Sequence, residues 1–202
     1  MKTEPGILKS QVHRVKLPGG FSAVVRPVRP DDGPRLAEGL RQLSPESRRR
    51  RFLFSRGSFS DEELDYFTHC DGVDHLALVV VATGPKGREQ QFVAVARCIR
   101  NSNDPGLAEV AIAVADDWQH HRVGEMLIQA LARSAWESGI RCWNAVLFTD
   151  NVAMRKLLEL VGKKQSEQSE DAGVVGLVYR LSPPDLARAG WQEPVGDSPP
   201  EG

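Results

Sequence analysis

Ala108-Glu109-Val110-Ala111-Ile112-Ala113-Val114-Ala115-Asp116-Asp117-Trp118-Gln119-His120-His121-Arg122-Val123-Gly124-Glu125 reads as a strand that passes through a short polar loop into a helix. Val110, Ile112 and Val114 alternate with alanines, the period of an extended chain. Beyond the loop, Val123, Leu127, Leu131 and Ala135 recur at helical spacing, and Gly139 ends the run. The first N–H groups of such a helix have no internal acceptor and carry the positive end of its dipole. A glycine-bearing turn at that point lets an anion approach the backbone, so the passage is a seat for phosphate or pyrophosphate. His120, His121 and Arg122 add donors and positive charge.

The flanking sequence supplies a sheet for this unit to belong to. Upstream, Leu76 to Val81 and Phe92 to Ile99 read as strands separated by the turn Gly84-Pro85-Lys86-Gly87. A second turn over Asn101 to Gly106 leads into the strand from Glu109 to Ala115, which completes an antiparallel meander. Downstream come a strand from Cys142 to Phe148, a helix from Asn151 to Val161 closed by Gly162, and a last strand from Val174 to Leu181. Lys163 to Glu167 is a candidate extra strand. Nearer the start, Phe21 to Val28 reads as a first strand that stops at Pro30. Asp31 and Asp32 then offer an N-cap to a helix bearing Leu36, Leu40 and Leu43. Ser60, followed by Asp61, Glu62 and Glu63, caps a second helix through Leu64 and Phe67. The predicted order is β-α-α-β-β-β-α-β-α-β, a mixed α/β sheet covered by helices. Residues 1–20 form an unpatterned N-terminal segment expected to be partly disordered, 21–182 one domain, and 183–202 a disordered tail rich in proline and glycine.

Composition narrows the function classes. Of 202 residues, 41% are apolar and 26% charged, which excludes wholesale disorder. Lysine plus arginine number 26 against 27 acidic residues, so coating nucleic acid or an anionic membrane is not the expected business of the chain. The longest apolar run stops at Ala82, far short of the roughly 20 residues that span a bilayer. No apolar stretch near Met1 resembles an export signal. Cys70, Cys98 and Cys142 are widely spaced, without a C-x-x-C pair, so neither a disulfide framework nor a zinc site is signalled and a reducing cytoplasm is expected. His120 and His121 point apart and lack a third ligand nearby; a solvated basic loop is the simpler reading, and no metal is expected. Arg48 to Arg51, beside Phe52 and Phe54, read as a solvated helix end with one or two ion pairs rather than a nucleic-acid contact.

Gln119-His120-His121-Arg122-Val123-Gly124 after Asp116-Asp117-Trp118, in this order of elements, resembles the acyl-CoA motif of the GNAT N-acetyltransferases. Arg26-Pro27-Val28-Arg29-Pro30-Asp31-Asp32, Leu43-Ser44-Pro45-Glu46-Ser47 followed by Arg51-Phe52, and Ala108-Glu109-Val110-Ala111 are similar to the acetyltransferase domain of bacterial protein-lysine acetyltransferases. The resemblance covers roughly residues 21–181. It implies a mostly antiparallel sheet splayed between the strand ending at Val114 and the strand from Cys142. Acetyl-CoA would be the cosubstrate, its pantetheine arm pairing with the backbone of Ile112, Ala113 and Val114. Its pyrophosphate would lie on the N–H groups of Gln119, His120, His121, Arg122, Val123, Gly124 and Glu125, with Asn151 near the arm. The family pattern Q-x-x-G-x-G has its first glycine replaced by Arg122, which either adds a phosphate contact or weakens CoA affinity.

The implied reaction moves an acetyl group to a primary amine, with a protein lysine as the favoured acceptor. A lysine amine is neutral in only about one molecule in 2,500 at pH 7, a cost of about 4.6 kcal/mol. A general base is therefore worth having, and Glu109 is the candidate, expected to be partly desolvated at the start of an apolar strand. Backbone N–H groups near Val110 to Ile112 would polarise the thioester carbonyl. The tyrosine that many members use to protonate the leaving thiolate is replaced by Leu158. No cysteine is placed to carry the acyl group, so direct attack is expected. A non-catalytic acyl-CoA-binding module of the same fold and a small-molecule amine acetyltransferase are the alternatives.

Overall fold

The computed structural model describes residues 12–54, 57–171 and 173–184. Eight strands and five helices follow in the order β1 (His13–Lys16), β2 (Ser22–Pro27), α1 (Gly33–Gln42), α2 (Pro45–Phe52), α3 (Asp61–Thr68), β3 (His75–Thr83), β4 (Glu89–Arg100), β5 (Leu107–Val114), α4 (Val123–Glu137), β6 (Cys142–Phe148), α5 (Val152–Val161), β7 (Gly162–Asp171) and β8 (Val174–Leu181). They build one sheet in the spatial order β1-β2-β3-β4-β5-β6-β8-β7. All pairs are antiparallel except β5–β6.

Alternation along the central strands sorts the core into two layers. Leu76, Leu78 and Val80 of β3, with Ala96 and Cys98 of β4, face α4 and α5. They pack on Leu127, Ile128, Leu131 and Ala135 of α4 and on Met154 and Leu158 of α5. Ala77, Val79 and Val81 point the other way, toward Leu36 of α1 and Leu64 and Phe67 of α3. β3 is thus covered on both faces, which is why its sequence is apolar throughout rather than alternating. The meander β3-β4-β5 forms as expected.

Several expectations change. The N-terminal segment is not wholly unpatterned: His13–Lys16 pairs with Val25–Ser22 as an edge strand. Residues 1–11 and 185–202, on which most of the expected disorder falls, lie outside the described residues. Three helices, not two, separate β2 from β3, because Pro45–Phe52 is a helix of its own; Ser44 caps it by accepting from the Ser47 N–H at 3.1 Å. Asp32 does not cap α1 with its side chain. Its carboxylate turns inward to clamp Arg26 at 2.6 and 2.9 Å and to accept from the Arg29 N–H at 2.8 Å. Glu89 holds the other side of the same buried guanidinium. The extra strand near Lys163 exists and runs further, to Asp171. Gly162 closes α5 in extended conformation; a side chain there would meet the Arg180 carbonyl oxygen at 2.5 Å. No helix among the described residues is long and apolar enough to cross a membrane.

Candidate active site

The parallel pairing of β5 and β6 stops almost as soon as it begins. Leu107, Ala108 and Glu109 face Cys142, Trp143 and Asn144, and no register continues beyond them. β5 stays bonded to β4 as far as Val114, while β6 stays bonded to β8 as far as Phe148. The two strands therefore splay, and one backbone edge of Ile112, Ala113 and Val114 is left without a strand partner. A cleft of about 740 Å³ opens there, lined by those residues, by Ala145, Val146 and Leu147 of β6, and by Asn151, Met154 and Leu157 at the start of α5.

The cleft runs onto the turn before α4. His120 and Arg122 both adopt left-handed backbone conformation, with φ of 63° and 61°. The N–H groups of residues 120–125 make no hydrogen bond of normal length among the described residues. A run of free donors at a helix N-terminus is an anion cradle. The N–H of Gln119 does not join it, being committed to the Asp116 carbonyl at 3.1 Å. Gln119, His120, Arg122, Val123, Gly124 and Glu125 line the cleft, whereas His121 does not; its ring lies against Trp118. The Val123 side chain is buried in the core, so only its backbone faces a ligand. Arg122 bonds Glu125 through Nε at 3.0 Å, so a carboxylate stands beside the cradle and the guanidinium holds it.

A carboxylate that sequence reasoning missed organises this turn. Asp116 accepts from the Ser44 N–H at 2.8 Å, the Ser44 hydroxyl at 2.9 Å, the Ser47 hydroxyl at 2.6 Å and the Gln119 amide at 3.3 Å. Burial pushes its carboxyl upward, yet the bonds from Ser47 and Ser44 outweigh that and hold it below the usual carboxylate range. It fastens the start of α2 to the turn before α4. No local pattern signals this, because the partners are about seventy residues apart. The Asn151 side-chain oxygen likewise has a structural duty: it caps α5 by accepting from the Met154 N–H at 3.1 Å, leaving its amide nitrogen for a ligand.

Glu109 sits at the closed end of the splay, opposite Asn144 in register. Its side chain is exposed, so the expected partial desolvation is not found. Alternation explains why: Ala108 and Val110 point into the layer under α4, and Glu109 points to the opposite face. Leu158 is fully buried in that layer. Among the described residues, no group of three or more histidine, cysteine or acidic side chains could hold a metal. The three cysteines form no disulfide, and burial pushes the Cys98 thiol up to about 12.

Comparison with known proteins assigns the family. Residues 40–162 match the acetyltransferase (GNAT) family. The chain belongs to that family. It is 36% identical over 163 residues to the acetyltransferase Pat of Mycolicibacterium smegmatis, a match that covers 80% of this chain and 46% of that protein. This GNAT chain thus spans about half the length of that relative. It is also 30% identical over 170 residues to acetyltransferase PA5475 of Pseudomonas aeruginosa, covering 82% of this chain and 87% of that one. Among solved structures, the GNAT domain of S. lividans PAT superposes with a TM-score of 0.71 at 31% identity, covering 84% of this chain and 97% of that domain.

Proposed function

We propose that this GNAT protein transfers an acetyl group from acetyl-CoA to a primary amine, a protein lysine in the favoured case, in a reducing cytoplasm. One observation carries the reading: the strand edge of Ile112 to Val114 freed by the splay leads directly to the unbonded N–H groups of residues 120–125. An extended amide-bearing arm attached to a diphosphate fits that path, because its amides complete the sheet edge and its charges meet the helix terminus. The homology to Pat supports a protein lysine as acceptor.

In this reading the pantetheine arm pairs with Ile112, Ala113 and Val114, and the pyrophosphate lies on the N–H groups from His120 to Glu125. The thioester carbonyl reaches the N–H groups near Val110 to Ile112, which stabilise negative charge as it develops on oxygen. Glu109 takes the proton from the attacking amine, directly or through one water. The N–C bond forms, the C–S bond breaks, and CoA leaves as thiolate with no tyrosine to protonate it. The acceptor, docking over the exposed Glu109 carboxylate between α2 and β6, supplies the desolvation that the free protein lacks. Glu109→Gln is expected to keep acetyl-CoA binding, read by calorimetry, while thiol release falls about 100-fold or more. Unaltered turnover would remove Glu109 from the mechanism.

The Arg122–Glu125 pair at the cradle and the buried Leu158 favour a second reading, an acyl-CoA-binding module without turnover. Thiol release across a panel of amines separates the two. Tight acetyl-CoA binding with no release under any acceptor would favour the module.

A further inference from the structure

The face of the sheet beneath α1 and α3 buries a cation that has no anion among the described residues. Arg97, on β4, is 6% exposed. Its guanidinium stacks on Phe67, with Cζ 4.3 Å from the ring centre. Nη1 is 3.0 Å from His75 Nε2 and donates more weakly to the Phe67 carbonyl at 3.4 Å. Burial and the neighbouring guanidinium push the His75 imidazole down to about 4, so that partner is neutral at pH 7. No carboxylate among the described residues pairs with Arg97. Arg26, also buried, is clamped by Asp32 and Glu89. A buried guanidinium without a counter-charge is a costly arrangement, and an anion brought to it is correspondingly favoured.

Arg97 lines a crevice of about 60 Å³ between α1 and the β4–β5 pair. Leu36, Leu40 and Phe92 make it apolar, and Leu43, Arg51 and Ala113 line both it and the large cleft. At about 15 Å³ for each water-sized group, the space takes roughly four, the size of a carboxylate on a short hydrocarbon arm. Arg97 also stands directly opposite Ala111 in register, and facing residues of such a pair lie about 5 Å apart. Ala111 belongs to the stretch proposed above to hold the thioester carbonyl.

We propose that this crevice is a carboxylate-binding subsite of the transfer reaction, in which Arg97 pairs with an acid group at the end of a short apolar arm on one of the two reactants. The inference rests on reading the cleft as the donor site. A dicarboxylic acyl group such as succinyl carries its acid a few atoms beyond the thioester carbonyl; an amine acceptor bearing a carboxylate brings the same chemistry from the other side. The transfer itself is unchanged: the amine nitrogen bonds to the acyl carbon, the C–S bond breaks, and the proton passes to Glu109.

The test compares succinyl-CoA with butyryl-CoA, and an ω-amino acid with the alkylamine of equal length, by thiol release. It uses the full chain, Arg97→Gln and Gly39→Leu. The second variant narrows the crevice from α1 and leaves Arg97 in place, since a Cβ at Gly39 lies 4.0 Å from the Phe92 side chain. Wild type is expected to prefer one charged reactant by about tenfold or more in kcat/KM, and the preference falls to about one in both variants while CoA affinity is retained. Preference within the thioester pair assigns the acid to the donor, and within the amine pair to the acceptor. Equal rates in both pairs, or a preference that survives Arg97→Gln, would overturn the subsite. Absence of CoA binding would instead overturn the donor-site reading. The subsite would then be judged by succinate titration: a saturable thermal shift in wild type lost in Arg97→Gln supports it, and no shift refutes it.

Discussion

Arg122 occupies the place of a family glycine and takes a glycine's conformation, with φ of 61° and ψ of 9°. A side chain in that region stores about 1–2 kcal/mol. Its ion pair with Glu125 is 83% exposed on the arginine side and returns little of that. Arg122→Gly is therefore expected to raise unfolding stability by about 1 kcal/mol in urea. The same change leaves the Glu125 carboxylate unpaired beside the proposed phosphate seat, so CoA affinity is expected to fall about two- to fivefold, and Glu125→Gln in the same chain restores it. Gly124 has a different reason to be glycine. A Cβ there would make only ordinary contacts, 3.5 Å to Leu157 and to Val114, and its φ is not positive. The fold has no need of glycine at this position, whereas the proposed diphosphate, lying on the backbone, would. Gly124→Ala is expected to leave stability unchanged or higher by up to about 1 kcal/mol, and to weaken CoA binding at least about tenfold by calorimetry. Unchanged affinity would take the diphosphate away from this turn.

At the level of elements, α2 is the piece whose position depends most on a distant residue. None of its eight residues is fully buried; Phe52 meets the Phe59 ring edge-on and Arg49 stacks on Phe148, while the Asp116 carboxylate pins the start of the helix through Ser44 and Ser47. Hydrogen bonds to an ionised group contribute about 1.5–3 kcal/mol each when both partners are buried, and less here, where Asp116 is half-buried. Asp116→Asn removes the charge and leaves one oxygen where two accept from Ser44, Ser47 and Gln119. It is expected to lower stability by about 1–3 kcal/mol and to weaken CoA binding and the acceptor KM together, because one group holds both α2 and the turn. A loss of acceptor KM alone would separate the two elements. The same dependence explains what could be read from sequence. β3, α4, β6 and α5 were legible because each has one or two faces committed to the core, and burial writes its period into the residues. Pro45–Phe52 has no apolar face, and β7 is polar along its length, so neither carries such a period. In the site, the glycine-bearing turn and the strand feeding it were legible from local chemistry. Asp116 was not, since its partners are remote in sequence, nor was the exposure of Glu109, which depends on which helices cover each face of β5.

Across the whole molecule, the two faces of the sheet differ in their electrostatics. The α4–α5 layer is mostly apolar, with His13 buried near Arg133 of α4, while the α1–α3 layer holds Arg26 with Asp32 and Glu89, and Arg97 with His75. This asymmetry sets how stability depends on pH. Burial, and then the Arg97 charge, depress His75 from 6.5 to about 4, with Asp71 opposing them. Between those values the unfolded chain binds a proton that the folded one refuses, so stability falls as pH drops from about 6.5 toward 4, by up to about 3 kcal/mol. Asp32 and Glu89 act lower down. Burial alone would raise Asp32, but the hydrogen bond from Arg26 wins, and the same guanidinium lowers Glu89. Their contribution is complete above the ordinary carboxylate range and is lost as pH falls through and below it. Urea unfolding across pH is thus expected to show two stages of loss, one beginning near 6.5 and one below about 4. Burial, and then the Arg133 charge, lower the His13 imidazole as well, so His75→Gln, which keeps an acceptor for Arg97 but cannot titrate, is expected to shrink the first stage without abolishing it and to leave the second. Constant wild-type stability from pH 7 to 4.5 would show that the His75 ring takes its proton in the folded state beside Arg97, and that the guanidinium there is less confined than its burial implies.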